Sequence, residues 1–300
     1  MCFGYHGRML SSVLFLSAAM AGEGPDALTA LAVGTASYAT LAVTHEVLGH
    51  GLGCAAAGGQ PLGFSTTYMV CDTAGMGPAD IRLGTFAGTG ANLLVGASMA
   101  GALALQRPQD GWSQHYLWTT ATTSLFLSGS YMATGAIFDT GDFGEYLSTI
   151  PPERRDRARL AIAAAGVGTV ALTFPISIML ADRMLGSDPG KRRARGRTLG
   201  WVPYAGVGLG LMTATGALNK ELGPGQGSAA SLVGYGLGTL YLAYMPLMFG
   251  QGTADGAGPP LKRSAPWLAV GAASLVSMAA LGRGVGALDP EPLDHWHTSL

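Results

Sequence analysis

A chain of 300 residues is long enough for one or two soluble domains, but its composition argues against them. It is 48% hydrophobic and only 12% charged, with a mean hydropathy of +0.32, whereas soluble domains carry about 25% charged residues. The net charge of −1 offers no basic excess to nucleic acid, and no nucleic-acid partner is expected.

The charges gather in a few short segments separated by long apolar runs. The pattern predicts an all-α, polytopic transmembrane helix bundle of about seven or eight spans in a lipid bilayer, each span needing about 20 apolar residues. The 47 glycines, with abundant Ala, Ser and Thr, suit the close helix–helix approach that lipid favours. Residues 1–26 form a signal-like or first transmembrane segment. Arg8 precedes the apolar run Met9–Ala21, which closes in Ala19-Met20-Ala21 and reads either as a cleaved signal peptide or as a short span. Ala27–Ala57 is the next helix, and Gly58–Asp80 a loop. Within that loop Phe64–Val70 has β-leaning residues without helical periodicity and predicts a short strand after the helix.

Ile81–Leu105, interrupted by Asn92, is the third apolar segment, and His115–Phe138 the fourth. The fourth runs into Asp139-Thr140-Gly141-Asp142-Phe143-Gly144-Glu145. His115 and Trp118 are expected at the headgroup level, where aromatic rings are favoured. A charged stretch, Pro151–Arg159, closes a core spanning 27–159. Residues 160–300 hold additional helices of unassigned role: Leu160–Ala181, Leu199–Leu218, Ser228–Gly250 and Trp267–Leu281, with the basic run Lys191–Arg197 after the first. His295 and His297, flanking Trp296, read as surface residues. If Arg8 is cytoplasmic, the end of Ala27–Ala57 is too, together with Arg154, Arg155, Arg157 and Arg159. The positive-inside rule prefers that arrangement, but it leaves Lys191–Arg197 outside.

The chemistry concentrates in Thr44–Gly59, where His45, Glu46 and His50 interrupt an apolar run. Ionisable groups at membrane depth are costly and mark function by default. In H-E-x-x-H a helix presents two imidazoles on one face to zinc while the Glu acts as general base toward water. Here the spacing is H-E-x-x-x-H. Steps of 100° place i and i+5 about 140° apart on a regular helix, which would splay the rings. A π-bulge absorbs one extra residue, so a bulge or break is expected between Glu46 and Gly51. The rival geometry pairs Glu46 with His50 at i, i+4. The second, third and fourth segments alternate in direction, which brings the His45 end and the Asp139/Asp142 end to one side. Two imidazoles and a carboxylate there form the donor set of a catalytic Zn2+ with an open fourth position. Cys54, four residues after His50, reads as a small packing residue, and the three cysteines as no disulfide framework.

Three blocks resemble the site-2 protease family of intramembrane zinc metalloproteases. His45-Glu46-Val47-Leu48-Gly49-His50 with Gly58-Gly59 is similar to that family's H-E-x-G-H and Gly-Gly turn. Ala87-Gly88-Thr89-Gly90-Ala91-Asn92-Leu93-Leu94 resembles its A-G-P-x-x-N-L-L segment, with Thr89 at the Pro position. Gly141-Asp142-Phe143-Gly144-Glu145 resembles its Asp-bearing segment, without the N-P-x-x-x-x-D-G form. The resemblance covers about residues 40–155. It implies His45, His50 and Asp142 as metal ligands (Asp139 the alternative), Glu46 as base, Asn92 as a substrate contact, and Phe64–Val70 as the edge strand that holds substrate extended. The implied activity is Zn2+-dependent endoproteolysis of membrane-anchored proteins. Two alternatives stand beside it: a non-catalytic membrane scaffold or partner-binding relative, and a non-proteolytic metalloenzyme such as an iron hydroxylase.

Overall fold

The computed structural model describes residues 25–105, 110–186, 188–214, 261–286 and 295–299. The Met9–Ala21 and Ser228–Gly250 segments lie outside the described residues. The chain is mostly helical: α1 (Ala27–Ala42) continues as a π-helix (Val43–Gly51) and then α2 (Leu52–Ala56). α3 is Pro78–Leu105, α4 Gly111–Phe138, α5 Gly141–Ser148, α6 Pro152–Leu185, α7 Pro189–Ala214 and α8 Ala265–Leu281. Among the described residues four strands, β1 (Gln60–Phe64), β2 (Tyr68–Asp72), β3 (Val285–Gly286) and β4 (His295–Ser299), form one antiparallel sheet in the order β3-β1-β2-β4.

Among the described residues, three helices are long and apolar enough to cross a membrane: Ala27–Ala56, Pro78–Leu105 and Pro152–Asp182. α4 is as long as α3 at 28 residues, but it lies inside the bundle. Its buried face carries Thr119, Thr120, Thr122, Thr123, Ser124 and Ser128. Short hydroxyl side chains let neighbouring helices approach and bond across the contact. Thr120 bonds Ser37 of α1 at 3.0 Å, and Thr122 meets the Tyr204 hydroxyl of α7 at 3.0 Å.

Helix starts are fixed locally. Asp26 caps α1 by accepting from the Thr29 N–H, and Asp110 caps α4 by accepting from the Trp112 and Ser113 N–H groups, which satisfies donors that have no intrahelical partner. Burial raises the carboxyl pKa of each. The hydrogen bonds outweigh it, from Thr29 and Arg263 in one case and from Ser113, Trp267 and Trp112 in the other, and hold both below the usual range. The charged stretch Pro151–Arg159 belongs to the N-terminal turns of α6, with Pro152 at the position where its missing N–H is harmless.

Two expectations are corrected, and one residue pair is placed more closely. His115 and Trp118, expected at the headgroup level, are buried within the protein and stacked with centroids 5.3 Å apart. Phe64–Val70 is not one strand: Ser65–Thr67 form the turn of a hairpin, with the Ser65 hydroxyl accepting from the Thr67 and Tyr68 N–H groups at 3.1 Å each. Cys54 is not a mere packing residue, because it forms a disulfide with Cys71, Cα atoms 6.1 Å apart. That bond ties α2 to β2 beneath Met69, Phe64 and Met76.

Candidate metal centre

The π-helix supplies both histidines. Its i→i+5 bonding widens the turn, and His50 returns beside His45, ring centroids 4.7 Å apart. The distortion falls where the H-E-x-x-x-H spacing requires it.

Glycine sets how the next helix meets this one. Gly49 and Gly53 face Gly88 and Gly84 of α3 in antiparallel register: a Cβ at 49 would lie 2.5 Å from Gly88 Cα, and one at 53 3.4 Å from Gly84 Cα. Two G-x-x-x-G spacings thus bring the backbones together. A Cβ at 88 would strike His50 Nε2, with Cδ2 and Cε1 at 2.7 Å. The same close approach sets the Gly84 carbonyl 2.9 Å from His50 Nδ1.

The third group arrives by a chain reversal. α4 ends at Asp139 in the left-handed region, φ 52°, and Gly141 follows at φ 58°. α5 then begins with the buried Asp142 in its first turn, where a carboxylate suits the helix dipole. The Asp142 N–H donates to the Tyr131 hydroxyl at 3.0 Å. Arg159 clamps the reversal from α6, donating to the Ala136 carbonyl at 3.1 Å and to both Asp139 oxygens at 2.7 and 2.6 Å. Arg82 of α3 holds the far end of α5 through the Thr149 carbonyl at 3.2 Å.

Three side-chain atoms converge. His45 Nε2 and His50 Nε2 are 3.1 Å apart, and Asp142 Oδ2 lies 3.4 Å from the first and 3.1 Å from the second. All three residues are buried. A tetrahedral ion with bonds of about 2.0–2.1 Å holds its N and O ligands roughly 3.3–3.4 Å apart, so the spacing fits one ion of that size. A carbonyl only accepts, so His50 Nδ1 donates to Gly84, and in the neutral ring Nε2 is then the lone-pair atom facing the cluster. There it meets a carboxylate oxygen and a second imidazole nitrogen, a set of atoms that a shared proton or a cation can bridge. The backbone contact is the kind that fixes the tautomer of a metal-bound histidine.

Glu46 is buried beside the cluster, close enough for electrostatic interaction with His50 and Asp142. Neither of its oxygens has a hydrogen-bond partner among the described residues. Asn92 sits against His45, its amide 3.2 Å from Nδ1. With the amide turned over, its carbonyl oxygen would accept from His45 Nδ1–H and free Nε2 for a ligand role. Asp139 is not in the cluster. It is paired with Arg159 and its side chain is 53% exposed.

Among the described residues, His45, His50 and Asp142 are the one set of three or more His, Cys, Asp or Glu whose donor atoms lie close enough for an ion. The group could bind a metal ion, and the geometry leaves the metal's identity open. Tyr131 is absent from the expectations above, and Gly88 stands there only within a resembling block, without a role. The 84/88 glycine spacing opposite 49/53 was the signal for the second; Tyr131 carried none, because it gains its partner only from the reversal at Asp139–Gly141. Comparison with protein-family models, curated proteins and solved structures gives no match.

Proposed function

We propose that the chain is a multi-pass integral membrane zinc metalloendopeptidase acting on membrane-anchored proteins. The observation that carries this is the convergence of two imidazole nitrogens and a carboxylate oxygen within 3.4 Å beside the buried carboxyl of Glu46, which has no hydrogen-bond partner among the described residues. His45, His50 and Asp142 would hold the ion; when bound, it would supply Lewis acidity to a water and to a substrate carbonyl.

The chain's own groups do the rest. Glu46 takes the proton of the attacking water on a carboxylate oxygen and delivers it to the leaving amine, the two-way role of a general base. The Gly84 carbonyl and Asn92 orient the imidazoles, and Tyr131 holds the backbone that carries Asp142. Gly88 leaves room for the His50 ring. The β1–β2 hairpin, packed on the π-helix, offers main-chain partners to an extended peptide. A transmembrane substrate must unwind locally to use them, because helical amides are already satisfied.

One observation favours a second reading, a non-catalytic partner-binding protein. Both outer edges of the hairpin are paired with the chain's own strands, β3 and β4. Cleavage of a membrane-anchored reporter by the purified full chain separates the two. Glu46→Gln is expected to lower turnover by about 10²-fold or more while metal content is unchanged. Equal cleavage by both forms, or none by either with metal bound, would set the peptidase reading aside.

A further inference from the structure

β2 is bordered on one side by β1 and on the other by β4. The second ladder is continuous: Tyr68 pairs with Ser299, Met69 with Thr298, Val70 with His297, Cys71 with Trp296 and Asp72 with His295. On the far side, among the described residues, β3 meets β1 at two positions, Gly63↔Gly286 and Phe64↔Val285. β4 also touches α5, the helix that bears Asp142. Its other neighbour, β2, is tied by the Cys71–Cys54 disulfide to the helix that carries His45 and His50. A strand in that strip is extended, bound through its main chain, and in contact with elements from both halves of the candidate centre. A peptidase requires the same of the segment it is about to cut.

We propose that His295–Ser299 is a built-in occupant of the β2 edge, keeping the centre closed until an extended segment of the substrate displaces it. The proposal rests on the peptidase reading and adds to it a mode of substrate selection. An incoming strand remakes the ladder bonds that β4 gives up, so the exchange is close to balanced in hydrogen bonds and tolerant of sequence. Tethering weights the balance. A strand joined to the protein through a short connection acts at an effective concentration of order mM, which a dilute soluble peptide cannot match. A segment confined to the same bilayer is itself concentrated at the site, so the device admits membrane-anchored chains and turns away free peptides.

The test uses a fluorescent peptide with the sequence of residues 293–300, carrying His295→Ala and His297→Ala so that it cannot bind through a metal. Its binding is measured on three forms of the full-length Glu46→Gln protein: otherwise unchanged, with β4 broken by Trp296→Pro and His297→Pro, and with residues 295–300 removed. Of two successive strand N–H groups one faces β2, so the proline pair removes a ladder donor whichever it is. Saturable binding is expected to both altered forms, at least about tenfold tighter than to the unaltered one. With Glu46 restored, both are expected to cleave the membrane-anchored reporter at lower KM, and the added peptide to reverse this competitively. Binding no tighter in either altered form, with its metal content preserved, would overturn the proposal. If the peptide binds as expected but no form cleaves the reporter, the peptidase reading fails while the occupied edge stands.

Discussion

The Gly84 carbonyl decides what His50 can be. By accepting from Nδ1–H at 2.9 Å it commits Nε2 to the cluster, and the ring has little freedom to turn away because Gly88 lies against it. Gly88→Ala is therefore expected to cost about 1–3 kcal/mol, as overpacking does, and to lower metal affinity more than Gly101→Ala, where a Cβ meets nothing within 4 Å. Paired thermal melts and metal titrations check this; equal effects at the two positions would contradict it.

Glu145 offers a test by pH. Burial, aided by the neighbouring Asp142 carboxylate and opposed by His50, pushes its carboxyl up to about 8. The folded chain then keeps a proton that the unfolded chain releases near pH 4.3. This contribution to stability is full below about pH 4 and is lost as pH rises toward about 8. In metal-free protein, Glu145→Gln is expected to gain stability relative to wild type between pH 5 and pH 8, read as a growing difference in Tm. A constant difference would show that the carboxyl titrates normally.

His45, Glu46 and His50 were legible in the sequence because charge at membrane depth is conspicuous, and Asp142 because helix alternation brings it to their side. Tyr131 was not, since its role depends on the reversal at Asp139–Gly141, through two left-handed residues, that returns Asp142 to its hydroxyl. The Arg159 clamp that occupies Asp139 likewise appears only once α6 folds back on α4.

At the scale of elements, the π-helix is the feature on which the centre turns. An α-helix would splay residues 45 and 50, whereas the wider turn brings their rings together. Deleting Leu48, which is 51% exposed, would return the spacing to i, i+4 and let the segment relax to an α-turn with both imidazoles still on one face. Metal binding is expected to survive that deletion within about tenfold, whereas inserting an alanine after Leu48 is expected to abolish it. Metal titration of the two variants decides the matter; loss in both would show that the π-turn itself is indispensable. The bulge could be foreseen because two glycines and one extra residue give the helix both the need and the means to distort. The hairpin was foreseen only as a single strand, and the disulfide not at all. Cys54 and Cys71 are 17 residues apart, and it is the turn at Ser65–Thr67 that brings them within bonding distance. β3 and β4 were invisible for a related reason: strands of two and five residues gain their partners from β1 and β2, far away in sequence.

At the scale of the molecule, that disulfide carries an expectation about orientation. Such bonds persist in oxidising compartments, so on the proposed multi-pass reading the end bearing Cys54–Cys71 and the candidate centre is expected to face away from the cytoplasm. This would reverse the orientation that a cytoplasmic Arg8, outside the described residues, would impose. It would also place Lys191–Arg197 on the cytoplasmic side, as the positive-inside rule prefers, at the expense of the Arg154–Arg159 cluster, part of which is engaged in the α5–α6 clamp. In a Cys2→Ser background, a membrane-impermeant thiol reagent is expected to label Ser148→Cys in intact cells and Lys262→Cys only after permeabilisation. The opposite pattern would place the centre on the cytoplasmic side.

Everything rests on His45, His50 and Asp142 holding one ion beside Glu46, and elemental analysis of the purified full-length protein tests that most directly. About one zinc per chain is expected, lost in His50→Ala and Asp142→Ala and kept in Glu46→Gln and Asp139→Asn. A metal-free wild-type protein that cannot be loaded, or zinc that survives removal of His50 and Asp142 alike, would contradict the account.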